Sequence, residues 1–391
     1  MAYSIALFII TKSTDQRAAI KSSLANNNLV SISGEAGSVS EALVMATRIR
    51  SDVTLLDMQM LPVDDKNFLR QFVIRHPHPI IVLSDRPEND FGSCFEALKN
   101  GAVDIIFRDE LGPNNSKELT ERIICASRLE VCPDTSLVDN TSETPPPAKR
   151  AAEIIFCEDC GARNIFEDPM NGDKEQLRCL QCGDLLEPHV ITQYKRTHYV
   201  TIIVAGTGSY PNLLKIIPRV PSEISGAIII AISDESPHVD AFTNYLSSIS
   251  AVKIHRLKTG MSIEGGNCYV TTFNDGLQMK PFSTRNTMEK VGEMSGQNSV
   301  DLLMESIVAV FKTNTAGLFL SGSGLDGENG LKNISRHGGI SAVLFSLNCL
   351  HRQMGENILR RCKVDKIVDE NNAHKFITEL HDAARESLSA A

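Results

Sequence analysis

Two cysteine pairs carry the most specific chemistry in the chain: Cys157-Glu-Asp-Cys160-Gly161 and Cys179-Leu-Gln-Cys182-Gly183. A C-x-x-C knuckle turns two thiolates toward one ion, and glycine after the second cysteine tolerates the positive φ that such a turn often needs. Two knuckles supply the four thiolates of a tetrahedral, closed and therefore structural zinc site. Other candidates are single residues in distinctive settings. Asp57 ends the run Asp52-Val-Thr-Leu-Leu-Asp57, and Ser84 ends Ile80-Ile-Val-Leu-Ser84. Thr207 lies in Ile203-Val-Ala-Gly-Thr-Gly-Ser-Tyr-Pro211, and Asp326 in the glycine-rich stretch Leu320–Gly330. His238 sits in Ser236-Pro-His-Val, which reads as a helix cap and first turn, so a surface histidine is its plain reading.

These residues need elements to position them. In residues 1–130, short apolar runs alternate with amphipathic stretches. Ala6–Ile10, Leu29–Ser33, Val53–Leu56, Ile80–Ser84 and Val103–Phe107 read as strands. Strands alternating with helices predict a parallel sheet with helices on both faces. Residues 131–152 are rich in Pro, Ser and Thr without periodicity and read as a flexible linker. The zinc ribbon occupies 153–190. From 195 to 391 the alternation resumes, with buried strands expected at Val200–Val204, Ala227–Ile232, Leu318–Ser321 and Ile340–Phe345. Helices are expected to include Val300–Phe311 and Ala373–Ser387.

Composition narrows the function classes. The chain has 391 residues, 42% hydrophobic and 22% charged, with a net charge of -9. That balance suits two or three globular domains and disfavours wrapping nucleic acid or adhering to acidic lipid. Within 151–190 there are nine acidic residues against three basic ones, so the ribbon is not expected to bind phosphate. No stretch approaches the ~20 apolar residues of a membrane span, and Ile5–Ile10 reads as a buried strand, not a signal peptide. Paired cysteine knuckles without a secretory leader point to a reducing cytoplasm.

Asp52–Asp57, Ile80–Ser84 and Gly101–Arg108 together resemble the receiver domain of bacterial response regulators, a flavodoxin-like fold, over roughly the first 125 residues. The resemblance implies that Asp57 occupies the phosphoacceptor position and that Ser84 matches the family's strand-end hydroxyl. An acidic pair that holds Mg²⁺ is replaced by Thr11-Lys12, and a lysine by Arg108. A hydroxyl and an ammonium cannot replace hard carboxylate ligands, so Mg²⁺ is not expected at this site. Lys12 is expected to stand in the metal's place and pair with Asp57.

Motifs from Ile203 to Pro211, Asn298 to Asp301, Leu320 to Gly330, and Gly338-Gly339 resemble, in this order, the CheB-type chemotaxis protein-glutamate methylesterases, with their receiver–linker–effector plan. The resemblance implies a doubly wound α/β effector domain and a Ser–His–Asp triad that hydrolyses receptor methyl esters. The nucleophile position falls on Thr207 and the histidine position on Ser233; only Asp326 keeps its identity. Asp326 either retains a functional role or caps backbone N–H groups in its turn. Ser209 is a second conceivable nucleophile.

The leading reading is a CheB-like protein of a bacterial chemosensory pathway, catalytically degenerate, that binds receptor tails, a histidine kinase or other signalling partners. The alternative is a working methylesterase with a rearranged Thr207/His238/Asp326 site. A nucleic-acid-binding regulator built on the ribbon is disfavoured by the acidic charge of that segment.

Overall fold

The computed structural model of the protein describes residues 4–25, 27–61, 68–86, 91–112, 115–131, 153–156, 163–166, 181–182, 197–281, 286–290, 299–324 and 326–389. The chain forms two compact units, one of Met1–Pro133 with Arg196–Ala391 and one of Asp134–Lys195.

The first unit begins with β1 (Ile5–Ile10), α1 (Thr14–Leu24), β2 (Val30–Ala36), α2 (Val39–Ala46), β3 (Val53–Asp57), α3 (Phe68–Arg75), β4 (Ile80–Ser84), α4 (Gly92–Lys99), β5 (Asp104–Phe107) and α5 (Ser116–Ala126). The strands order as β2-β1-β3-β4-β5 and all pair in parallel. β3 and β4 are buried along their whole length, as continuous apolar runs covered on both faces should be. Ser13 caps α1 by accepting a hydrogen bond from the Gln16 amide at 3.3 Å. The expected receiver-like architecture is therefore present: β4 lies where expected, and the other four strands differ from expectation at one end or both.

In the second unit, a two-stranded antiparallel hairpin joins β6 (Glu153–Phe156) to β7 (Arg163–Phe166). Cys157, Cys160 and Cys179 lie outside the described residues, and Cys182 stands in an exposed turn. The linker 132–152 also lies outside them.

The first unit resumes with β8 (Val200–Ala205), α6 (Tyr210–Ile216), β9 (Ala227–Ile232), α7 (Ser236–Ile249), β10 (Lys253–Arg256), β11 (Asn267–Thr272), β12 (Leu277–Pro281), β13 (Asn286–Lys290) and α8 (Ser299–Phe311). It ends with β14 (Thr315–Phe319), α9 (Glu328–Arg336), β15 (Ile340–Leu344), α10 (Gln353–Arg361), β16 (Lys366–Val368) and α11 (Ala373–Ser389). Seven parallel strands order as β10-β11-β9-β8-β14-β15-β16, and β12 pairs with β13 apart from them. This is the expected doubly wound domain. The strand expected at Leu318–Ser321 lies at Thr315–Phe319, because pairing with both β8 and β15 fixes its register. The polar strands β10 and β16 and the hairpin β12–β13 lack a long apolar run, which hid them in the sequence.

The two α/β domains share buried side chains. Phe95 of α4 lies 5.6 Å from Tyr210, 5.2 Å from Phe242 and 5.6 Å from Tyr245, ring centre to ring centre, so α4 packs on α6 and α7. The Tyr245 hydroxyl donates to the Glu96 carboxylate. Beyond α5, the Glu130 amide donates to the Leu347 carbonyl at 3.2 Å, and Arg352 donates to the Arg128 carbonyl. Among the described residues, no helix is long and apolar enough to cross a membrane.

Candidate functional site

In each α/β sheet, the strand order reverses between two neighbouring parallel strands, and the crevice beyond their carboxyl ends is where such folds hold ligands. In the first sheet that point lies between β1 and β3; in the second it lies between β8 and β14. Topology therefore brings Thr11 beside Asp57, and the Thr207 loop beside the Leu320–Gly330 turn.

The first crevice is filled by protein groups. Asp57 is completely buried at the end of β3. Its Oδ1 accepts from Arg108 Nη2 at 2.5 Å and from the Gln59 amide at 2.9 Å. Its Oδ2 accepts from the buried Thr11 hydroxyl at 2.8 Å. In the amide orientation that satisfies both of its ends, Gln16 donates to the same oxygen at 2.8 Å and accepts from Arg108 Nε. Arg108 also pairs with Asp85, a residue 71% exposed. Burial draws the Arg108 pKa down, but hydrogen bonds to Asp85 and Asp57 outweigh it and the net shift is upward. The cation of this pocket is thus Arg108. The expected Lys12–Asp57 pair is corrected: Lys12 is exposed, because β1 ends at Ile10 and Thr11 turns inward instead. Ser84 points its hydroxyl at the Asp85 carbonyl, 2.9 Å away.

The second crevice has a tight floor. A Cβ on Gly206 would meet the Gly322 Cα at 2.6 Å, so only glycine lets these two loops touch. Gly208 has φ +76°, which favours glycine and reverses the chain after Thr207. Ser321 donates from its hydroxyl to the Thr207 carbonyl at 2.9 Å, and Ser209 from its own to the Ser321 carbonyl at 2.7 Å. Ser209 is buried, with its proton committed to backbone. Thr207 is exposed on this platform, and Ser233 is exposed just past β9 with its amide on the Ala205 carbonyl at 2.9 Å.

Asp326 is engaged elsewhere. Its carboxylate accepts from the Val300 and Asp301 amides, each at 3.2 Å, and so caps α8 from outside the helix. Asp301 answers by accepting from the Gly330 amide at 2.7 Å and the Asn329 side chain at 3.2 Å in the first turn of α9. Burial raises the Asp326 pKa, partly countered by those backbone N–H groups. Asp326 thus caps backbone N–H groups, as one of its two expected roles has it, but in the first turn of α8 and not only in its own turn.

His238 has a different carboxylate from the one expected. Its Nδ1 donates to Asp234 Oδ1 at 3.0 Å, while Tyr210 donates its hydroxyl to Asp234 Oδ2 at 2.7 Å. A carboxylate only accepts, so the proton of a neutral His238 sits on Nδ1, and among the described residues no hydrogen bond engages Nε2. The expected Thr207/His238/Asp326 grouping is therefore corrected: the hydrogen-bonded pair is His238 with Asp234. Asp234 precedes α7, outside the helix, so no helical pattern in the sequence announced this pair. Burial and the neighbouring Asp234 raise the Tyr210 pKa.

Thr207, Tyr210, Asp234 and His238 line one side of a cavity of about 880 Å³ whose other side includes Phe91 and Phe95 of the first domain. Phe91 meets the His238 ring edge-on, with centres 4.8 Å apart. The N-terminal domain therefore covers the mouth of the second crevice.

Residues 201–377 match the family model described as CheB methylesterase. A protein-glutamate methylesterase/protein-glutamine glutaminase of Pyrococcus horikoshii is 24% identical over 347 residues, which is 87% of this chain and 84% of the relative. Among solved structures, the CheB methylesterase catalytic domain of Thermotoga maritima aligns with TM-score 0.45 at 19% identity, covering 47% of this chain and 100% of that one. The response regulator domain of Thermotoga maritima CheB aligns with TM-score 0.29 at 25% identity, covering 32% of this chain and 98% of that one.

Proposed function

We propose that this chain, related over most of its length to CheB-type protein-glutamate methylesterases, serves a bacterial chemosensory pathway by binding and not by hydrolysis. The observation that carries this reading is the placement of Asp326. In a Ser–His–Asp triad, the carboxylate orients an imidazole and stabilises its charged form. Here that carboxylate accepts from the first turn of α8, and the base position holds Ser233, whose hydroxyl cannot take a proton near neutral pH. A threonine hydroxyl at position 207 needs such a base to attack an ester. Loss of base and nucleophile leaves only the binding and oxyanion contributions of the cleft.

Thr207, Ser233 and Asp326 are then triad positions without triad chemistry, and Thr207 lines the binding cleft. The glycine platform and the aromatic rim of Tyr210 and Phe91 suit an extended peptide segment such as a receptor tail, or a domain of a histidine kinase. The four cysteines Cys157, Cys160, Cys179 and Cys182 provide the donor set for a structural Zn²⁺, which would cross-link the ribbon without taking part in chemistry. Zinc content at one ion per chain, lost in Cys157→Ser, is the expected result. A cytoplasmic location follows from the need to keep those thiolates reduced.

Methanol release from methylated receptors tests the main reading. No release above background, together with capture of receptor or kinase by the purified chain, supports it. Release that disappears in both Thr207→Ala and His238→Ala would overturn it. That outcome would make Asp234 the carboxylate of a working site, since it already orients His238.

A further inference from the structure

We infer that Arg108 permanently takes the place of both metal and phosphoryl group at Asp57, making the N-terminal domain a phosphorylation-blind cap on the effector cleft. This inference concerns the receiver crevice and stands apart from the question of hydrolysis in the second one.

The Mg²⁺ implied by the receiver-like fold does not fit the residues present. A six-coordinate Mg²⁺ requires hard oxygen donors, usually including carboxylates. Around Asp57 stand a hydroxyl from Thr11, an amide from Gln16 and the guanidinium of Arg108. The nearby Asp85 carboxylate is bound by that same guanidinium. A dication entering this space would meet a fixed positive charge 2.5 Å from the oxygen it needs. Nor does Asp57 have an oxygen free for attack on a phosphodonor. Its two oxygens accept four hydrogen bonds, from Arg108, Gln59, Thr11 and Gln16, and the group is buried.

The same arginine ties this pocket to the cap surface. Its two terminal nitrogens reach Asp57 at the end of β3 and Asp85 just past β4, while Arg108 itself follows β5. Three strand ends are thus held by one planar fork, a geometry a lysine ammonium cannot reproduce. Arg86 lies over the Phe107 ring, 4.3 Å from its centre, and pairs with Asp109 at 2.9 Å and Glu110 at 2.7 Å, closing the β4–β5 side. Cys94 of α4 reaches Ser84 at 3.9 Å. The next residues of α4, Phe95 and Glu96, hold Tyr210, Phe242 and Tyr245 of the effector domain. With the strand ends fixed, α4 has no phosphate-driven alternative position.

Two measurements on the full chain test this. The chain and a competent receiver are incubated together with acetyl phosphate and Mg²⁺, then weighed intact. The competent receiver should gain the mass of a phosphoryl group and this chain should not; phosphoryl on Asp57, absent from Asp57→Asn, overturns the inference. Hydrogen exchange of residues 92–99 is followed in parallel. It should be unchanged by Mg²⁺ with beryllofluoride and several-fold faster in Arg108→Lys, which keeps the charge but loses the fork. Faster exchange on adding beryllofluoride, or wild-type exchange in Arg108→Lys, overturns it.

Discussion

The two crevices occupy equivalent places in two parallel sheets, yet their aspartates are neutralised by different means. Asp57 faces a side-chain cation that fills its pocket. Asp326 faces backbone N–H groups at a helix N-terminus, and the space beside Thr207 stays open. A side-chain partner closes a crevice because it carries bulk into it. A helix terminus satisfies a carboxylate from the side and leaves the crevice free. One crevice therefore ends filled by side chains, and the other keeps a cavity beside Thr207. Phe91 and Phe95 of the domain that carries the filled crevice line the cavity beside Thr207.

The comparison breaks most readily at Arg108. Arg108→Ala leaves a buried carboxylate without its cation and should cost about 3–5 kcal/mol, seen as a lower urea midpoint; Asp57→Asn with Arg108→Ala should recover much of it. If both variants unfold alike, the pair is not what holds the first crevice.

Next in size is a pH effect to which His381 of the second α/β domain contributes. His381 is buried, accepts from the Gly226 amide at 3.1 Å and lies 2.9 Å from the Thr201 hydroxyl, and burial pushes its pKa down to about 4. The fold thus favours the neutral ring, whereas the unfolded chain binds a proton near 6.5. Stability is fully present above pH 6.5 and is lost as pH falls toward 4, by roughly 3 kcal/mol in total. Urea unfolding at pH 7 and pH 4.5 should show this slope, and His381→Gln should reduce it, leaving the part carried by His78, whose pKa burial also lowers to about 4.

Removing the external cap is a smaller perturbation. Asp326→Ala should cost about 0.5–2 kcal/mol, the range for lost helix caps, and be read as a lower unfolding midpoint. A loss near zero would mean that the carboxylate serves the cleft and not α8. Smallest of all, Thr207→Ala should change stability by less than about 0.5 kcal/mol and leave methanol release at background.

Much of the fold was legible because buried parallel strands are continuous apolar runs, as in Ile80–Ser84 and Ala227–Ile232. Strands at sheet edges, such as Lys366–Val368, lack that run and were missed. The resemblance to known families, carried onto the sequence residue by residue, put Ser233 at an expected base position and Thr11-Lys12 at an expected acidic-pair position. It could not show that Lys12 turns outward or that Arg108 crosses 51 positions of sequence to reach Asp57. Asp234 carried no motif, and only the turn that faces it toward Tyr210 and His238 gives it a role.

What the sequence determined by itself was chemical inventory and element order: which side chains exist, and the alternation that makes two parallel sheets. Which charge meets which, and whether a crevice ends sealed or open, was decided only by tertiary structure. Coulomb and hydrogen-bond energies depend on separations of a few ångströms between residues far apart in the chain, and side-chain direction at a strand end is set by packing and not by composition.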